Sequence, residues 1–154
     1  MADRKPPVLD AAILCAEVVR DANGATFALN DPLNTVVLAA SADGRLALDE
    51  LVLFVQMTDW EAQGTYTFSA EVRSDTGVVI AQPGDSAVQV TFASRYYPLA
   101  PFEHAFFIRY LIFPGPGVYH FHVMCGLASM SAREACAMAP KLFVVRAEPG
   151  DELP

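Results

Sequence analysis

"TYTFSAEVR", residues 65–73, decides the fold. Tyr66, Phe68, Ala70 and Val72 alternate with Thr65, Thr67, Ser69, Glu71 and Arg73. Successive Cβ atoms of a strand point to opposite faces of a sheet, so this stretch buries one face and wets the other. "VQVTF" (88–92) repeats the pattern through Val88, Val90 and Phe92, and "GVYHFHV" (117–123) through Tyr119, Phe121 and Val123. Turn signals separate such runs: Asp43-Gly44, Asp75-Thr76-Gly77, Pro83-Gly84-Asp85 and Pro114-Gly115-Pro116-Gly117. Proline pre-sets φ and glycine supplies positive φ, so each cluster can reverse the chain. Short strands at this spacing predict an all-β protein, an antiparallel β-sandwich of about eight to ten strands.

Two segments break the alternation. "LVLFVQM" (51–57) and "FFIRYLIF" (106–113) are apolar on both sides. An antiparallel sheet normally leaves one face to water. Leu51, Leu53, Val55 and Met57 can fill the interior; Val52, Phe54 and one side of 106–113 then need a loop, a helix or another subunit over them. Cover from another subunit is the expected solution for at least one of the two, which predicts self-association. "LDAAILCAEVVRDANG" (9–24) reads as a long strand leading into an Asn23-Gly24 hairpin. At most one short helix is expected, over "SMSAREACAMA" (129–139), with Ser131 and Glu134 as a capping box and Pro140 as the stop. Residues 1–7 read as a flexible N-terminal segment, 8–147 as the sandwich domain and 148–154 as a flexible acidic tail.

A chain of 154 residues buries about 68–70% of its unfolded surface on folding and needs no metal or disulfide staple. Its hydrophobic content is 53%, high enough to leave apolar surface for a partner. The net charge of −8 argues against nucleic acid and anionic membrane, which need clustered Lys and Arg. Tyr110–Ala132, uncharged apart from its histidines, is interrupted by Pro114, Pro116 and glycines and does not read as a membrane span. No export signal is evident: Asp10 and Glu17 interrupt the early apolar run, and Leu14 stands where a lipoprotein site ending at Cys15 wants a small residue. Three cysteines is an odd number, which fits reduced thiols and a cytoplasmic location.

The strongest chemical constellation is "YHFHVMC" (119–125). His120 and His122 share a strand face about 7 Å apart at Cα, close enough for one Zn²⁺ or Cu²⁺ if a third ligand joins them. His104 and Glu103 are candidates for that role if Pro114–Gly117 forms a hairpin. Cys125 has the opposite parity. The simpler reading puts Tyr119, Phe121 and Val123 in the core and both imidazoles on the outer face, with no metal and no cofactor. Cys125 and Cys136 can meet only if the 126–139 insertion folds back. Cys125 lacks the motif of a catalytic thiol. Asp21, Asp31, Asp43, Asp49, Glu50 and Asp59 are scattered, with no dense Ca²⁺-binding cluster. Trp60 with Tyr96-Tyr97 offers an aromatic platform, or simply a core plug. No phosphate loop, nucleophile elbow or zinc helix is present.

Residues 8–147 resemble a group of small uncharacterised bacterial proteins that look like immunoglobulin-like or C2-like β-sandwiches. The resemblance lies in "LDAAILCAEVVRDANGATFAL", in "LVLFVQMTDWEAQGTYTFSAEVRSDTGVVI", and in "FPGPGVYHFHV" followed by "KLFVVRA". It departs at the 126–139 insertion and implies no catalytic residues. The function expected is a non-enzymatic interaction or structural module that binds a second copy of itself or another protein. The alternative is a small-ligand or metal-binding sandwich using His120 and His122.

Overall fold

The computed structural model describes residues 7–20, 27–58, 64–82, 87–92, 102–136 and 138–150. Eleven strands run through them: β1 (Val8–Arg20), β2 (Phe27–Pro32), β3 (Thr35–Leu38), β4 (Leu46–Thr58), β5 (Gly64–Ser74), β6 (Val79–Ala81), β7 (Val88–Phe92), β8 (Phe102–Phe113), β9 (Gly117–Leu127), β10 (Glu134–Ala135) and β11 (Lys141–Arg146). One sheet has the order β2-β1-β4-β8. The other runs β3-β11-β9-β5-β6, with β7 also on β5 and β10 also on β9. Pairing is antiparallel except between β11 and β3. The two sheets pack into a sandwich, as the alternation predicts, with one strand more than the upper expectation because the very short β6 and β10 count as strands.

The core lies between the sheets. Tyr66, Phe68, Ala70 and Val72 from β5 meet Leu51, Leu53, Val55 and Met57 from β4, and all are buried. Tyr119, Phe121, Val123 and Cys125 extend this layer along β9. In β8 the inward residues are Phe106 and Ile108, then Leu111 and Phe113. The parity changes at Tyr110, whose φ of 56° is left-handed. Glu50 pairs with Arg109 and Leu48 with Leu111, so the register is kept and the opposed Asp49 and Tyr110 alone drop out of the ladder between them.

The two doubly apolar strands have different solutions. Val52 and Phe54 are 1% and 8% exposed, although they point away from the main core. They lie beside buried Cys15 and half-open Ile13 on the outer face of the first sheet. The second face of β4 is therefore closed within one chain. β8 stays open: Phe107 and Ile112 are each 50% exposed, and Tyr110 81%.

Three expectations are corrected. Among the described residues there is no helix, within the expected limit of at most one, and the described part of the 129–139 candidate is not helical. Glu134 and Ala135 instead pair with Cys125 and Met124 of β9. The reason is a backbone requirement. β11 covers that edge of β9 only over Gly117–His120, and the groups beyond need partners. The Phe121 N–H donates to the Pro140 carbonyl at 3.0 Å, and the Cys136 N–H to the Val123 carbonyl at 2.8 Å. A single capping box on a short helix is marginal against such a ladder. Secondly, Pro114–Gly117 is not a hairpin within one sheet: β8 and β9 belong to different sheets, so the turn crosses between layers. Thirdly, His104 consequently sits opposite Val55 of β4, away from the strand that carries the other two histidines. The Asn23-Gly24 and Pro83-Gly84-Asp85 turns, Asp21, Asp59, Trp60 and Tyr96-Tyr97 lie outside the described residues.

Candidate functional site

Two surfaces carry chemistry, one on each sheet. The first is the outer face of β5 and β9. Glu71 stands opposite His122, and Arg73 opposite His120. The imidazoles lie on this face, with Tyr119, Phe121 and Val123 buried on the other, as period two requires. Their ring centroids are 6.2 Å apart and the planes 27° from parallel. His120 Nε2 is 3.0 Å from Asp75 Oδ1.

Glu71 shares this face yet is only 6% exposed. Its carboxylate accepts from the Arg73 Nε–H and, at 2.9 Å, from the Gln82 amide. Burial pushes the carboxyl up, but Gln82, Arg73 and the nearby His122 outweigh it and hold the group below the usual glutamate range. His122 is pushed the other way from a charged imidazole. Burial lowers its pKa first, then Arg73 and His120, against a weaker pull from Glu71. Its Nδ1 is buried without a hydrogen-bond partner among the described residues. A cleft of about 500 Å³ opens beside this row, between Ser69, Glu71 and Gln82 on one side and Met124, Ser131 and Arg133 on the other. Arg133 donates to Ser69 Oγ across it at 3.0 Å.

Among the described residues no three His, Cys, Asp or Glu side chains come together as a metal set. His120 has the Asp75 carboxylate at 3.0 Å and Arg73 as its cross-strand neighbour. Glu71 is committed to Arg73 and Gln82, and Cys125 points into the core. His104 is held in the other sheet between aromatic rings, 4.6 Å from the Phe106 centroid and 6.2 Å from that of Phe102. The three cysteines are thiols. Cys125 is buried in the core and Cys136 packs against it half-buried; Cys125 lies on the face of β9 opposite His120 and His122. Asp43 is taken up by Ser41 and Arg45 of its own turn, and Glu50 by Arg109 at 2.8 Å.

The second surface is the open side of β8. Among the described residues no strand pairs with its outer edge, although β6 of the other sheet approaches it. The direction of its backbone groups follows from the ladder. The Leu33 N–H donates to the Leu14 carbonyl at 2.8 Å, so Leu14 turns its backbone toward β2. Leu53, opposite Leu14, must then turn its own groups toward β8, where it meets Phe106. Alternation sends the N–H and C=O of Glu103, Ala105, Phe107 and Arg109 to the outer edge. The side chains of this set lie on the outer face of the sheet, flanked by the Gln56–Glu103 hydrogen bond of 3.2 Å and the Glu50–Arg109 ion pair.

Sequence reasoning placed the histidines but missed two features. The apolarity of 106–113 is visible, but its place at a sheet edge depends on which strands pair. The burial of Glu71 is invisible to alternation; Arg73 two residues on, sharing its face, is the only hint.

No family model matches this chain, and no curated protein matches it. Among solved structures it is similar to the CooA pilin subunit from enterotoxigenic Escherichia coli, at 10% identity over 88% of this chain and 97% of that chain, with a TM-score of 0.28. So low a score leaves the likeness at the level of strand-rich chains.

Proposed function

We propose that this chain is a non-enzymatic interaction module of the bacterial cytoplasm, of the immunoglobulin-like or C2-like kind, and that it self-associates through β8. The observation that carries this reading is the contrast between the two doubly apolar strands. Residues 51–57 of β4 have both faces closed within their own chain, whereas β8, an edge strand among the described residues, leaves Phe107, Tyr110 and Ile112 open. A long apolar edge is a template for another chain, and soluble proteins cover or blunt such edges. The acidic balance and the three thiols support the cytoplasmic part of the proposal.

Sedimentation at micromolar concentration tests it. The expected mass is a multiple of the 16.6 kDa chain, and Phe107→Asp shifts the distribution toward monomer. A wild-type monomer at all concentrations overturns self-association.

A second reading rests on the His122 Nδ1, which is buried without a hydrogen-bond partner among the described residues; its cross-strand neighbour Glu71 lines the 500 Å³ cleft. It makes the outer face of β5 and β9 a small-ligand or metal site using His120 and His122. Titration with Zn²⁺ checks the metal form: binding lost in His120→Ala supports it, and no binding by wild type removes it.

A further inference from the structure

We propose that two copies join β8 to β8, antiparallel about a two-fold axis beside Phe106. The inference rests on the self-association reading and adds the partner, the strand and the register.

The edge presents the backbone groups of Glu103, Ala105, Phe107 and Arg109, each with one donor and one acceptor. Antiparallel pairing exchanges hydrogen bonds only when such residues stand opposite each other, so the axis must relate odd positions to odd positions. The regular edge is bounded by the start of β8 at Phe102 and by the left-handed Tyr110, and the middle of that stretch is Phe106. Charge then selects the same centre. Only an axis beside Phe106 places Glu103 of one copy opposite Arg109 of the other, twice by symmetry, with Ala105 opposite Phe107. Opposite charges across a strand pair are favourable and like charges are not.

The pairing is isologous and closes on itself, as a two-fold contact must. It joins two four-stranded sheets edge to edge. The outer faces, with Ile13, Cys15, Val52, Phe54 and Phe107, become continuous across the axis. Ala105 opposite Phe107 leaves room for the larger ring. Each Arg109 then lies between Glu50 of its own chain, at 2.8 Å, and Glu103 of the other copy.

Three variants separate the parts of the proposal. Ala105→Pro removes an N–H that faces the outer edge and leaves the β4 ladder intact. Glu103→Arg and Arg109→Glu each set like charges opposite across the axis, and the double exchange restores opposite charges. Sedimentation equilibrium of the full chain is expected to show a dimer that Ala105→Pro converts to monomer. Each single exchange weakens the dimer about tenfold, and the double variant returns to within about threefold of wild type. A monomeric wild type overturns both self-association and the pairing. A dimer indifferent to Ala105→Pro keeps self-association and overturns the edge contact. A dimer lost in Ala105→Pro but not rescued by the double exchange overturns the register. If Ala105→Pro does not fold, a mixture of Ala105→Cys and Phe107→Cys chains takes its place. Under oxidation the 105–107 linked peptide is expected in mass spectrometry, and its absence from a mixture that sediments as a dimer overturns the edge contact.

Discussion

His122 is a histidine placed where charging it is unfavourable. Burial, Arg73 and His120 all oppose the imidazolium, and Glu71 alone favours it. Its pKa in the folded chain therefore lies below the ordinary value near ~6.5 that it has when unfolded. Between those two values the unfolded state holds more protons, so stability rises with pH and is lost as the solution is acidified. Glu71, also depressed, adds a second loss at lower pH, once the medium falls below the ordinary glutamate range. His122→Leu removes the upper step and also the buried unpaired nitrogen. We expect urea midpoints to show the variant at least as stable as wild type at pH 7, by up to about 1 kcal/mol. Its decline from pH 7 to pH 5 should be flatter. A variant that loses stability at pH 7 would mean that Nδ1 has a partner in solution.

At the scale of the element, β9 shows how a ladder overrides a local signal. Gly126 lies where the chain of the 126–139 insertion presses on β9. A Cβ there would stand 2.2 Å from the backbone oxygen of Ala132. Gly126→Ala must push the returning segment away and break the contacts that replace the expected helix. A cost of about 1–3 kcal/mol follows from such overpacking. Hydrogen exchange checks the location, with faster exchange expected at Cys136, whose N–H bonds the Val123 carbonyl. In β8 the strain sits at Tyr110, where φ is 56° and the ring makes little contact at 81% exposure. Asn tolerates that backbone better, so Tyr110→Asn is expected to stabilise by about 0.5–1 kcal/mol in urea titration. Destabilisation would show that the ring holds the kink in place. These elements also mark what a sequence shows. The alternation of Tyr66, Phe68, Ala70 and Val72 exposes β5 directly, because side-chain parity is a local property. The strand at Glu134–Ala135 is not local: it exists because β11 stops short along β9, which only the assembled sheet reveals.

At the scale of the molecule, the same limit separates β4 from β8. Both are written as doubly apolar runs, and nothing in either run says which one lies inside a sheet and which at its edge. Pairing decides: β4 sits between β1 and β8, while β8 ends the row among the described residues. The polar cluster is likewise a product of pairing, since Glu71 meets His122 and Arg73 meets His120 only once β5 and β9 are in register. An edge that recruits a second copy ties stability to concentration, because mass action favours the folded dimer over unfolded monomers. Raising the protein from ~1 μM to ~100 μM is expected to raise Tm by roughly 3–5 °C in the wild type. Ala105→Pro, unable to pair at the edge, should melt at the same temperature throughout that range. The two curves converge on dilution, where the wild type is monomeric as well. A wild-type Tm that stays flat with concentration would place the burial of β8 within the single chain. One that rises equally in Ala105→Pro would move the contact from the edge to another surface.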